Sequence, residues 1–189
     1  MPDFPIILFE NPQAWADWLE AQHATVGGVW LKLAKKDTGI PSITYAEALE
    51  MALCYGWIDG QKKGLDERFW LQKFTPRRAK SIWSKINREK AEALIANGAM
   101  KPSGLREVEG AKLDGRWESA YDSQSNAVLP ADFQAALDQS PSAQAFFATL
   151  NRANRYAFLF RIQTAKKAET RERNIRKFIG MLERGEKFH

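Results

Sequence analysis

The sequence has one cysteine, Cys54, and two histidines, His23 and the terminal His189. A lone cysteine rules out an internal disulfide and any multi-cysteine metal cluster. So little histidine leaves a histidine-rich metal site or a Ser-His-Asp triad poorly supplied. Long apolar runs are missing as well: nothing approaches the ~20 residues needed to cross a bilayer, and the early run "PIILF" is far shorter. "MPDFPIILFENPQ" lacks a basic leader, an apolar core and a small-residue cleavage pattern, so export by a signal peptide is not expected and the cytoplasm is the default. Phosphate loops of the GxGxxG and GxxxxGK[ST] types, HExxH, CxxC, GxSxG and the EF-hand pattern are absent too. No pair of carboxylates stands out as an acid/base couple. No cofactor is expected.

Aromatic residues are plentiful, with seven tryptophans and eleven phenylalanines in 189 residues. Most belong in a core, since each large ring buries roughly 150–250 Å². The length fits one domain, or one domain with a closely packed extension. The formal charge of +5 conceals a segregation: residues 1–60, 61–100, 101–149 and 150–189 carry −5, +6, −3 and +7. If the two basic blocks converge, they make an anion-attracting face; otherwise they pair with the acidic blocks.

Local patterns predict an α+β protein with a small, mostly antiparallel sheet and helices in the N-terminal half, and an all-helical C-terminal half. Three regions are expected: an α+β region over 1–100, an irregular connection over 101–130 containing a short helix, and a helical region over 131–189. Asn11-Pro12 opens a helix over 12–23, with Trp15, Trp18 and Leu19 on one face. "VWLKLAKK" at 29–36 sets Val29, Leu31 and Leu33 against Trp30, Lys32 and Ala34, the period of a strand. Thr44 and Glu47 form a capping box, and Gly56 ends the helix it opens. "WID" reads as a short strand followed by the turn "GQKKGLDE", and "RFWLQKF" at 68–74 as a second strand. Ser81 is expected to cap a helix running to about Asn97, with Gly98 as its stop. Helices are expected to start near Pro130 and at Ser140-Pro141, and to span 151–165 and 169–184, with Ile175, Phe178, Ile179 and Leu182 on one face of the last.

Three stretches, "ITYAEALEMALCYGWIDGQKK", "FTPRRAKSIWSKIN" and "AKKAETRERNIRKFIGMLERG", resemble the bacterial YdeI/OmpD-associated, or bacteriocin-protection, proteins in order and spacing from about Trp15 to Gly185. The resemblance implies a small bacterial protein tied to tolerance of antimicrobial peptides and to an outer-membrane porin. It brings no catalytic residues and no cofactor. With no export signal, the porin link is read as indirect.

Three constellations invite a functional reading beside a plain one. In "CYGWIDG", Tyr55, Trp57 and Asp59 line an aromatic pocket with one carboxylate, or else Trp57 enters the core and Asp59-Gly60 turns the chain. Cys54 sits in a last helical turn, where the dipole disfavours a thiolate, and reads as a buried structural thiol. In "FTPRRAKSIWSKIN", Arg77, Arg78 and Lys80 precede a helix start with Ser81 and Trp83, a recipe for holding an anion; the plain reading is solvated arginines. Arg171 falls on the apolar stripe of the last helix and needs a partner, either Asp59, Glu47 or a ligand anion. The other basic residues there read as a solvated face.

The expected function is a cytoplasmic stress or bacteriocin-tolerance protein that binds an anionic small molecule or an acidic protein partner. Its surface would comprise Tyr55, Trp57, Asp59, Arg77, Arg78, Lys80, Ser81, Trp83 and Arg171. The alternatives are a metal-independent enzyme with Asp59 or Tyr55 as acid or base, and nucleic-acid binding through the C-terminal helices, where Tyr156, Phe158 and Phe160 interleave with Arg152, Arg155 and Arg161. No zinc finger or RNP-like motif supports the last of these, so nucleic acid is not the expected partner, and neither is membrane insertion.

Overall fold

The computed structural model describes residues 4–188. It divides into two compact units: one runs through Ile82 and resumes over Asn87–Glu118, and the other takes Trp83–Ile86 and the chain from Ser119 onward.

The N-terminal unit is built on a four-stranded sheet of β1 (Ile6–Ile7), β2 (Val29–Ala34), β3 (Trp57–Gly64) and β4 (Phe69–Pro76), in the order β1-β2-β4-β3. The expectation of a mostly antiparallel sheet needs a correction at one edge. β2–β4 and β3–β4 are antiparallel, but β1 runs parallel to β2, so the sheet is mixed. β1 is only two residues long, too short to give an alternation signal, and it is anchored by the Trp30 amide donating to Pro5 O at 2.9 Å. The expected turn at "GQKKGLDE" is also corrected, because β3 continues to Gly64. A shift in register between Asp59 and Lys62 leaves Gly60 and Gln61 opposite the single residue Lys73 there. The buried Gln72 amide answers the Gly60 carbonyl at 3.0 Å, so the irregularity leaves that acceptor satisfied.

Two helices, α1 (Pro12–Gln22) and α2 (Tyr45–Cys54), follow the sequence signals closely. Asn11 accepts from the Ala14 amide at 2.9 Å, and the Thr44–Glu47 capping box is formed in both directions. The apolar alternation of β2 works as read: Val29, Leu31 and Leu33 are fully buried, in register with Phe74, Gln72 and Trp70. Trp15 of α1 packs against Phe74 and edge-on to Trp57, so these aromatics are core.

The helix expected from Ser81 begins later: α3 spans Lys85–Ala96 and stops at Gly98, whose φ is 74°. The stretch expected to be an irregular connection opens with α4 (Pro102–Leu113), a twelve-residue helix of the N-terminal unit. Its Gly104 lies so close to the end of α2 that a Cβ would stand 2.3 Å from Cys54 O and 2.5 Å from Met100 Sδ. Glycine permits that approach, and a larger residue would push the two elements apart.

The C-terminal unit is largely but not wholly helical. It contains α5 (Ala131–Asp138), α6 (Pro141–Thr149), α7 (Arg152–Gln163) and α8 (Ala168–Glu183), together with an irregular segment before α5 and a parallel bridge between Ser84 and Tyr121. Its core joins Phe133, Leu137, Phe147, Phe158, Phe178 and Leu182. Ile175, Phe178 and Leu182 are buried at the helical spacing read from the sequence, and Gly185 follows α8 with φ 70°.

Candidate functional site

Several residues expected to bind a ligand have structural partners within their own unit. Gly56 takes φ 76° and ends α2, and its carbonyl accepts from the Arg77 amide at 2.9 Å. Cys54 is buried, and that burial pushes its thiol up to about 11, as a structural thiol requires. The Tyr55 hydroxyl donates to Glu20 Oε2 at 2.7 Å; burial first, and then this bond, push the phenol up. A phenol so held is a poor base near neutrality. Trp57 is 1% exposed, with its indole donating to His23 O at 3.2 Å. The Asp59 carboxylate accepts from the Tyr45 hydroxyl at 2.9 Å.

The segment from Arg77 to Ser81 is not a helix start. Ser81 closes a turn, with its amide donating to Arg78 O at 2.8 Å and its hydroxyl accepting from the Arg78 amide at 3.0 Å. The helix dipole that would have assisted an anion at Ser81 is therefore displaced to Lys85. Arg77 is buried and donates to Ile82 O at 3.3 Å, while Arg78 and Lys80 are exposed. Trp83 and Arg171 belong to the C-terminal unit. Trp83 is buried there, and its carbonyl accepts from the Tyr121 amide at 3.0 Å. Arg171 finds its partner in Asp132, not in Asp59 or Glu47. Its Nε and Nη2 donate to the two carboxylate oxygens at 2.6 and 2.8 Å, and its Nη1 donates to Ile162 O at 2.9 Å.

What the structure does bring together is a basic and aromatic face of the N-terminal sheet. In an antiparallel pair, residues directly opposite share a face. Trp30 opposes Lys73, and Leu71 is opposed by Lys32 on one side and Lys63 on the other. These residues and Phe69 therefore lie on the side away from Val29, Leu31 and Phe74. Each of the three ammonium groups rests over a ring. Lys32 Nζ is 3.9 Å from the Phe69 centroid, Lys63 Nζ is 5.6 Å from Trp30, and Lys73 Nζ is 4.8 Å from Phe4 and 5.9 Å from Trp30. Such contacts, effective within about 6 Å, hold a cation without neutralising it. Among the described residues, none of the three lies within 4.0 Å of a carboxylate oxygen. On this face Lys63 is exposed and Trp30, Lys32 and Lys73 are half-buried, over a buried Leu71 and Phe69, and Ile6 and Leu65 are exposed at the margins.

One end of the face runs into a hollow of about 420 Å³ lined by Phe4, Lys73, Thr75, Arg77 and Arg78. Two of the arginines singled out in the sequence are therefore grouped with an aromatic ring and a lysine, although through the end of β4 and not through a helix start. The sheet lysines were missed. Their signal was present in the alternation of Trp30 and Lys32 in β2, but it became informative only once β4 was paired beside it.

Among the described residues, no group of three or more His, Cys, Asp or Glu side chains could hold a metal ion, and no helix is long and apolar enough to cross a membrane.

Comparison with protein families gives two matches. Residues 7–107 match the model of a domain of unknown function (DUF8412), and residues 126–185 match the family described as bacteriocin-protection, YdeI or OmpD-associated. The third of the three resembling stretches thus falls in the second family, while the other two fall in the first. Neither a curated protein nor a solved structure matches the chain.

Proposed function

The chain belongs to the DUF8412 family and carries a C-terminal region of the bacteriocin-protection, YdeI or OmpD-associated family, and on that premise we propose that it is a non-catalytic binding module for an anionic ligand or acidic partner, serving tolerance to bacteriocins. The observation that carries this reading is the placement of Lys32, Lys63 and Lys73 over aromatic rings on one sheet face. An ammonium held over a ring keeps its charge available, and several in one place raise the local concentration of anions. The hollow beside Arg77 and Arg78 extends the same positive surface. A basic face repels cationic peptides. Protection would therefore run through an anionic molecule or an acidic protein, not through capture of a cationic peptide itself. The site of action in this reading is the cytoplasm, and any porin link is indirect.

The competing reading, a metal-independent enzyme using Asp59 or Tyr55, draws less support. The Tyr55 hydroxyl is committed to Glu20, and the Asp59 carboxylate accepts from Tyr45.

Immobilised heparin serves as a general polyanion probe. The wild-type chain is expected to be retained at low salt and to elute as salt rises, with Lys32→Glu/Lys73→Glu eluting earlier while still folded, its melting temperature lowered by no more than about ten degrees. Elution of the double variant together with the wild type would overturn the assignment to this face.

A further inference from the structure

A second concavity lies on the opposite face of the same sheet, where the chain leaves β2 and enters α2. Its volume is about 640 Å³, within the roughly 300–1,000 Å³ of pockets that hold small organic ligands. Leu33, Ile40 and Ile43 give it apolar walls, Tyr45 and Trp70 give it rings, and Lys35, Lys36 and Lys62 stand around it. The two rings are tilted at 47° with centroids 6.2 Å apart. Lys62 Nζ lies 4.3 Å from the Trp70 centroid, a cation–π distance that favours placing its charge at the wall of the cleft.

The charged side chains that line this cleft, Lys35, Lys36 and Lys62, are all cationic. No aspartate or glutamate lines it. Two carboxylates bond to lining residues and take up their donors: Glu47 binds the amide and hydroxyl of Thr44 at 2.8 and 2.7 Å, and Asp59 binds the Tyr45 hydroxyl at 2.9 Å. Among the described residues, none of the three lysines lies within salt-bridge distance of a carboxylate. Apolar walls, two rings and unneutralised ammonium groups are complementary to a molecule that is flat and apolar over most of its body and anionic at one end.

We propose that this cleft is a binding site for a small aromatic carboxylate, with its ring against Tyr45, Trp70 and Ile40 and its carboxylate at Lys62 and the Lys35-Lys36 pair. The site is separate from the sheet face of the preceding section and does not depend on it.

Calorimetric titration of the full chain with 2-naphthoate tests the proposal, with 2-naphthol as a neutral analogue of the same ring and octanoate as an aliphatic anion. Saturable binding of 2-naphthoate is expected, with both analogues weaker. Lys62→Met, which removes a charge from an exposed position, is expected to weaken it about fivefold, and Trp70→Leu about tenfold. Lys32→Glu/Lys73→Glu, on the other face, is expected to leave it unchanged. Absence of saturable 2-naphthoate binding in the millimolar range would overturn the site. Equal binding of 2-naphthol would overturn the role of the lysines, and equal binding of octanoate would overturn the aromatic class. If Trp70→Leu fails to fold, Lys62→Met decides: unchanged affinity in that variant also defeats the proposal.

Discussion

The sheet of the N-terminal unit and helix α8 of the C-terminal unit are both rich in cations, yet their surroundings differ. On the outer face of the sheet, Lys32, Lys63 and Lys73 lie over Phe69, Trp30 and Phe4 and outside salt-bridge distance of any carboxylate among the described residues. On α8, Arg171 forms a two-pronged pair with Asp132, and the exposed Arg173, Arg176 and Lys177 share the helix with Glu169, Glu172 and Glu183. The two basic blocks of the sequence, residues 61–100 and 150–189, hold four acidic residues each, so their net charges of +6 and +7 do not separate these surroundings. Net charge by segment says little about where an anion would settle. What distinguishes Arg171 from the sheet lysines is a direct bond to a carboxylate, whereas Lys32, Lys63 and Lys73 lie over rings and outside such a bond.

The largest effect is expected where the N-terminal unit is braced. Gly104→Ala places a methyl 2.3 Å from Cys54 O, a backbone atom that cannot swing aside. Overpacking of this kind costs about 1–3 kcal/mol or more, so the midpoint of urea unfolding should fall clearly. A midpoint equal to wild type would show that α4 does not hold the end of α2 as described.

The next effect separates the two basic regions directly. If the sheet face is the anion site, Lys32→Glu/Lys73→Glu should weaken heparin binding about tenfold or more at fixed low salt, whereas Arg173→Glu/Lys177→Glu should do so several-fold less. Both variants change the net charge equally, so a general charge effect cancels between them. Equal losses, or a larger loss from the α8 variant, would break the comparison and favour the C-terminal helices as the binding surface.

Much of the fold was legible because its signals are local. The Thr44–Glu47 capping box, the Gly56 stop and the Ile175, Phe178, Leu182 stripe each depend on residues within one or two turns, and each is realised. β1 was illegible because two residues carry no periodicity, and it is a strand only by virtue of its pairing with Trp30 and Leu31. Ser81 misled because a serine ahead of an apolar run caps a helix and closes a turn by the same kind of side-chain to backbone bond. The site was less legible than the fold. Tyr55 and Trp57 drew attention as aromatic residues in an unusual run, but Glu20 and His23, which accept their hydrogen bonds, are more than thirty residues away in sequence. The partner of Arg171 was hidden for the same reason, with Asp132 separated from it by two helices. Lysines over rings on neighbouring strands leave no motif at all, since strand order decides which residues become neighbours.

The smallest expected effect concerns the Arg171–Asp132 pair, and its pH dependence tests whether this charge is structural. Donation from Arg171, ahead of its Coulomb attraction, holds the Asp132 carboxyl below its ordinary range. A carboxyl depressed by folding adds stability above its unfolded pKa, about 3.9, and that contribution disappears as pH falls through the lower folded value. Both side chains are partly exposed, at 30% and 46%, so the contribution is at most about 1 kcal/mol at neutral pH. Arg171→Met should therefore lower the melting temperature by a few degrees at pH 7, and the gap should shrink as pH falls below about 4. Heparin retention should be little affected, because the removed charge is already matched by Asp132. A gap that stays constant down to pH 2 would mean that the loss comes from packing of the arginine stem, not from the ion pair. A marked loss of retention would instead return Arg171 to the anion-binding surface.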